Sequence, residues 1–198
     1  MSQNVKDKNL VKKEGSARSP YTSYTEYLAE DSQKVPTFMV EENFEFLGSD
    51  DISMERYTSE EYFKAEAECM WTRVWQFACR VEDIPNVGDS LVYDILNWSF
   101  VIVRSEDDKI QAFYNSCLHR GRKLKTHRTN SLDIKCPFHG YCWNLDGTLK
   151  HTPASWDFPH VKEDEWSLPE VRVEIWEGFV FINMDNSAVS LEKYLEPL

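Results

Sequence analysis

Apolar and polar positions along this chain fall into distinct regimes. Up to about position 55 the sequence is polar, poor in glycine and without a sustained period, with short apolar patches at Tyr24–Leu28 and Phe38–Val40. So little apolar surface cannot drive collapse, and residues 1–55 read as an extended N-terminal arm. From Thr58 the pattern changes. Thr58-Ser59-Glu60-Glu61 fits a capping box, in which a hydroxyl and a carboxylate satisfy the free N–H groups of a helix start. Phe63, Ala67, Met70, Trp71, Val74 and Trp75 then recur at helical spacing. They predict a helix over about 59–75, within a leading helical segment at 56–76.

Beyond it the pattern shortens to β-type runs. These are Gln76–Val81, Ser90–Leu96, Phe100–Arg104, Ile110–Tyr114, Leu132–Cys136, Tyr141–Leu145, Val171–Trp176 and Phe179–Met184. Asn86–Asp89, Ser105–Lys109 and Asp146-Gly147 supply turn chemistry between them. Many short strands without alternating helices predict a mainly β fold, a small antiparallel sandwich or barrel over 77–185. Residues 190–198 have the character of a helix start, and 186–198 reads as the beginning of a connector to a further domain. No apolar run approaches the roughly 18 residues of a membrane span.

Composition and charge narrow the partners. With 198 residues, 41% of them apolar, the chain can build one well-packed domain with additional structure. A formal net charge of −12 argues against nucleic acid or an anionic membrane as partner. Lys6, Lys8, Lys12 and Lys13 alternate with Asp7 and Glu14 and enclose no apolar core, unlike a secretory signal or transit peptide, so the expected location is cytoplasmic. Five cysteines, an odd number, do not suggest a disulfide framework.

The chemistry concentrates in two short segments. Cys117-Leu118-His119-Arg120-Gly121 is followed by Cys136-Pro137-Phe138-His139-Gly140, with sixteen residues between His119 and Cys136. Each offers one thiolate and one imidazole, and the four together suit either a tetrahedral zinc or a mixed-ligand iron–sulfur cluster. The order favours the cluster. Zinc fingers usually take a cysteine pair from one loop and a histidine pair from another, whereas here like ligands lie on different loops. Two such loops can present both cysteines to one iron and both histidines to the other. Gly121 and Gly140 let the backbone pass close by in dihedrals other residues resist. The segments resemble the Rieske pattern, C-x-H then C-x-x-H, with Pro137 also in place. The resemblance implies a Rieske [2Fe–2S] cluster on Cys117, His119, Cys136 and His139, within an antiparallel β fold bearing two cluster-binding loops.

The flanks specify the kind. Rieske domains of respiratory complexes add a disulfide between the loops, whose cysteines would fall at Arg122 and Phe138, and a serine where Tyr141 stands. Their absence implies fewer hydrogen bonds to sulfur and a lower potential. Met70–Gln76 with Gly88-Asp89, Trp156-Asp157-Phe158-Pro159 and Val171–Asp185 resemble α-subunits of ring-hydroxylating oxygenases over roughly residues 55–198. Tyr141 with Trp143 departs from the usual tryptophan followed by an aromatic. The resemblance implies an electron-accepting domain reduced by a ferredoxin or flavin reductase. Electrons would pass to a mononuclear non-haem Fe(II) for O2-dependent hydroxylation of an organic, typically aromatic, substrate. It also implies a homotrimer or α3β3 assembly. Of the remaining histidines, His127, His151 and His160 form no close pair with a carboxylate, so the facial triad is expected in a further domain. The alternative is a stand-alone ferredoxin-like electron carrier.

Other residues carry weaker signals. Arg120, Arg122, Lys123, Lys125 and Arg128 form a basic run, either a docking patch for an acidic donor or a solvated loop. His127 reads as a surface residue, His151 and His160 as structural. Cys142 reads as a buried strand thiol, and Cys69 and Cys79 as core or half-buried positions. The tryptophans and Phe138 are expected to pack around and shield the cluster.

Overall fold

A computed structural model of the chain describes residues 24–37, 50–162 and 165–196. The chain divides into two units, Met1–Ser53 and Met54–Leu198. In the first, the apolar patch at Tyr24–Leu28 lies in a short helix, α1 (Tyr24–Ala29). The patch at Phe38–Val40 and most of the expected arm lie outside the described residues.

The second unit opens with an interrupted helical segment instead of one helix to position 75. Helices α2 (Glu55–Thr58) and α3 (Glu60–Glu66) meet at Ser59, whose extended backbone and hydroxyl, accepting the Tyr62 N–H, make it the cap of α3. The cap is thus one residue later than the capping box places it. The Thr58 hydroxyl is already donated to the Met54 carbonyl in the preceding turn. A π turn over Ala67–Trp71 ends the segment. Its wider spacing breaks the 3.6-residue phase, and the Asn183 side chain takes the Arg73 carbonyl. Trp75 is therefore buried as a single anchor, its indole N–H donated to the Val189 carbonyl. Phe63, Met70 and Cys69 are exposed, which corrects the core or half-buried position expected for Cys69.

Ten strands follow among the described residues: β1 (Gln76–Arg80), β2 (Asp89–Ile95), β3 (Trp98–Glu106), β4 (Lys109–Tyr114), β5 (Thr129–Asn130), β6 (Ile134–Lys135), β7 (Cys142–Trp143), β8 (Leu149–His151), β9 (Glu170–Trp176) and β10 (Phe179–Asn183). They form a seven-stranded antiparallel sheet, β1-β10-β9-β4-β3-β2-β5, and a three-stranded one, β6-β7-β8. The mainly β antiparallel architecture expected from the sequence is the one found. The runs expected at Leu132–Cys136 and Tyr141–Leu145 shrink to two residues each, because their neighbours are drawn into loops. The pairing of β5 and β8 carried no sequence pattern of its own. Helix α4 (Leu191–Leu195) starts at Ser190, as expected, with the Ser190 hydroxyl capping it and Leu191 buried. Among the described residues no helix is long and apolar enough to cross a membrane.

The three-stranded sheet is an insertion between β4 and β9. Its two ends are tied where the Tyr114 N–H donates to the Pro169 carbonyl at 2.9 Å. Strand β3 shows why the insertion stays attached. Phe100 to Val103 are fully buried, so both faces of the strand are covered. Phe100 and Ile102 join Ala112, Val180 and Ile182 in one core. Val103 joins Phe113, Leu124, Ile134 and Trp143 in the other, which lies between the large sheet and the insertion.

Gly147 shows how tight that second core is. Its φ is +82°, and a Cβ there would meet the Phe113 ring at 2.5 Å, with Phe113 1% exposed. Gly147→Ala is expected to lower stability by about 1–3 kcal/mol through overpacking and backbone strain. Urea unfolding monitored by tryptophan fluorescence measures it, and a midpoint equal to that of the unaltered chain would contradict the packing described.

Candidate metal centre

The insertion delivers two loops of one design. In the first, the Cys117 N–H donates to the Arg122 carbonyl at 2.8 Å and the Gly121 N–H to the Cys117 carbonyl at 2.8 Å. In the second, the Cys136 N–H donates to the Tyr141 carbonyl at 2.8 Å and the Gly140 N–H to the Cys136 carbonyl at 3.2 Å. Each loop thus begins at its cysteine and closes five residues later. Gly121 (φ +68°) and Gly140 (φ +82°) make the turn, and no atom lies within 3.4 Å of a Cβ built on either. Conformation, not space, requires glycine there. The histidine is the third residue of one loop and the fourth of the other.

Face to face, the loops pair like with like. Cys117 and Cys136 are both buried and belong to the same core cluster. The His119 and His139 rings are 4.9 Å apart, inclined at 66°. Among the described residues no three of His, Cys, Asp and Glu converge on one point, as a single tetrahedral ion would need. The thiols lie inside, 3% and 2% exposed and part of the second core, while His139 is exposed. Nδ1 of His119 is buried without a hydrogen-bond partner. An orphaned buried polar atom costs about 1–3 kcal/mol, and a metal bond removes that cost. Two thiols, two imidazoles and an inward nitrogen without a partner fit a two-iron cluster.

The local electrostatics agree with ligand roles. Burial pushes the Cys117 thiol up, opposed in part by the backbone N–H groups of His119 and Arg120 that point at its sulfur. Burial, then the charges of His139 and Arg120, pull His119 down, which favours the neutral ring that ligates metals. Cys142 lies buried on β7. Burial and a hydrogen bond with Asp133 push its thiol up to about 11, as expected of a buried strand thiol. Cys79, also buried, is pushed up to about 12. His127, His151 and His160 are exposed and stand outside the centre.

The surroundings differ from expectation in two respects. The basic run is not a uniform patch. Lys123 pairs with Asp94 at 3.0 Å, Arg128 pairs with Asp83 at 3.2 Å, and Lys125 is half-buried on the Ser131 hydroxyl. Arg120 and Arg122 alone of the run make neither an ion pair nor a side-chain hydrogen bond among the described residues. Nor do all the aromatics shield the loops. Tyr141, Trp143 and Trp166 back the site, but Phe138 is 60% and Trp156 83% exposed. A residue outside the motif positions the first loop. Buried Asn115 accepts the N–H groups of Leu124 and Lys125 and donates to the Ser99 hydroxyl and the Lys125 carbonyl, filling all four of its hydrogen-bonding positions. Its only sequence signal is a polar residue at the end of a buried strand.

Comparison with known proteins places this geometry. The Rieske [2Fe–2S] domain model matches residues 74–162. The oxygenase subunit of carnitine monooxygenase from Escherichia coli (strain K12) is 35% identical over 143 residues, covering 72% of this chain and 38% of that subunit. The alpha subunit of 2-aminobenzenesulfonate 2,3-dioxygenase from Alcaligenes sp is 34% identical over 145 residues, covering 70% and 36%. Among solved structures, a quaternary ammonium Rieske monooxygenase with L-carnitine superposes with a TM-score of 0.67 at 30% identity, covering 71% of this chain and 40% of that one. Naphthalene 1,2-dioxygenase with indole bound gives 0.67 at 30% identity, covering 70% and 32%. The chain therefore carries a Rieske domain, whose cofactor is a [2Fe–2S] cluster. Over about 70% of its length it is similar to the oxygenase subunits of these enzymes. It spans less than half the length of these relatives.

Asn115→Ala is expected to cost about 1–3 kcal/mol by leaving the buried Leu124 N–H without an acceptor. Ser99→Ala, which removes only a group that accepts from Asn115, should cost less in the same denaturation measurement. Equal losses in the two variants would show that the accepted bonds are not what matters.

Proposed function

We propose that Cys117, His119, Cys136 and His139 hold the [2Fe–2S] cluster, and that this chain is the electron-accepting portion of an oxygenase α-subunit. The like-with-like pairing of thiols and imidazoles carries the ligand assignment. Similarity to oxygenase subunits over 143 residues, more than the domain at 74–162, supports the wider reading over that of a lone carrier. When bound, the cluster supplies one-electron transfer at a potential raised by imidazole in place of thiolate.

The residues of the chain prepare that centre in distinct ways. The thiols of Cys117 and Cys136 are kept from water by the second core. The N–H groups of His119 and Arg120 stabilise negative charge on the Cys117 sulfur. Arg122 and Phe138 stand where a loop-to-loop disulfide would lie, and Tyr141 where a serine donor would, which favours the low-potential range. In this reading electrons arrive from a ferredoxin or flavin reductase. The acceptor is a mononuclear iron in the catalytic domain, used for O2-dependent hydroxylation of an organic substrate by a homotrimer or α3β3 assembly in the cytoplasm. Exposed Leu118, Pro137 and Phe138 at the loop tips, beside the unpaired Arg120 and Arg122, suit an acidic donor.

Anaerobically prepared chain reduced with dithionite should give the EPR spectrum of a Rieske cluster, and Cys136→Ser or His119→Ala should abolish it. Zinc in place of iron, or a spectrum unchanged in both variants, would refute the assignment. Arg120→Glu with Arg122→Glu should slow reduction by an acidic ferredoxin about tenfold at low salt and flatten its salt dependence. Unchanged rates would exclude these arginines as the docking site.

A further inference from the structure

We infer that Tyr141 is a positioning residue that holds the His119 ring in its ligating orientation, so that one side chain couples the two loops. The inference rests on the cluster assignment proposed above. Tyr141 belongs to the second loop, where its carbonyl accepts the Cys136 N–H. Its ring, however, lies against the first loop. It stacks on the His119 imidazole with centroids 4.9 Å apart and planes inclined at 24°. Closure of one loop and orientation of the other loop's imidazole therefore meet in the same residue.

The ring cannot retreat. Tyr141 is 2% exposed, and behind it Trp143 and Trp166 lie nearly parallel, at 6.4 Å and 27° and at 6.1 Å and 23°. Trp143 is fully buried, and its indole N–H donates to the Trp166 carbonyl at 2.8 Å. His139 has weaker support. Its aromatic neighbour Phe138, at 3.8 Å, is itself 60% exposed. A ligand imidazole must hold its ring rotation for the bonding nitrogen to stay aimed, and a hydrogen bond from the outer side usually does this. For His119, whose buried Nδ1 is the nitrogen left for the metal, the face-on ring of Tyr141 restrains that rotation. The required feature is the flat ring, not the hydroxyl.

The test compares Tyr141→Leu, Tyr141→Phe and Tyr141→Trp in the full chain, prepared anaerobically. Expected for Tyr141→Leu are a broadened EPR line in the reduced protein and about tenfold faster chelator-driven bleaching of visible absorbance. Tyr141→Phe and Tyr141→Trp should keep the line width of the unaltered chain. If Tyr141→Leu does not fold, Trp166→Leu, which removes a ring behind Tyr141, should give the same broadening to a smaller extent. A merely structural role would lower thermal stability without altering the line shape. Line width and bleaching equal to those of the unaltered chain, in Tyr141→Leu or in its substitute, would overturn the inference. So would broadening in Tyr141→Phe as large as in Tyr141→Leu, since the hydroxyl would then be the working group. An unaltered chain with no Rieske spectrum overturns the cluster assignment and this inference together; failure in the variants alone overturns only the inference.

Discussion

The apolar contact between the large sheet and the inserted three-stranded sheet is what the rest of the molecule depends on. Val103 and Phe113 form its floor, Ile134, Trp143 and Leu149 its cover, and both loop cysteines are set into it. Two-residue strands such as β6 and β7 contribute too few hydrogen bonds to stand alone. They persist because burial of Trp143 and Ile134 against the sheet holds them. Strand β3 makes this possible by being apolar on both faces, so that one strand serves two cores at once.

On that floor, polar contacts add precision that apolar packing lacks. The insertion leaves and rejoins the sheet at adjacent points, which limits the freedom of everything between them. Asn115, at the exit point, ties the far side of the first loop to β3 through Ser99. The second loop is aligned through Tyr141 and its stacked neighbours. Two independent devices therefore bring two loops of the same backbone design to one place. Their shared design explains the glycine after each histidine. Their different histidine position lets the two rings approach at an angle without colliding.

Charge is distributed with the same economy. In a chain of net charge −12, a basic run beside the loops invites the idea of a broad positive face. Three of its five members are instead used internally, by Asp94, Asp83 and Ser131. Exposed ion pairs of this kind add little stability, but they leave a small positive rim of two arginines around an apolar tip. Such a rim can orient a partner without holding it tightly.

The sequence by itself determined the four candidate ligands, the glycines that turn their loops, the mainly β class and six strands of the large sheet. All of these rest on local signals, namely short-range spacing, alternation and turn chemistry. It also revealed the helix start, though one residue early, since the choice between Thr58 and Ser59 depends on a hydrogen bond to Met54. Only the tertiary structure decided where that helix ends, because Asn183 and the burial of Trp75 come from distant parts of the chain. It likewise decided that β5 pairs with β2, that Asn115 anchors a loop, and which basic residues stay free. Tyr141 shows the division most clearly. Its place in the sequence marks it as an aromatic after the second loop, but its contact is with a histidine twenty-two positions earlier. Long-range packing chooses such partners, and no local pattern records them.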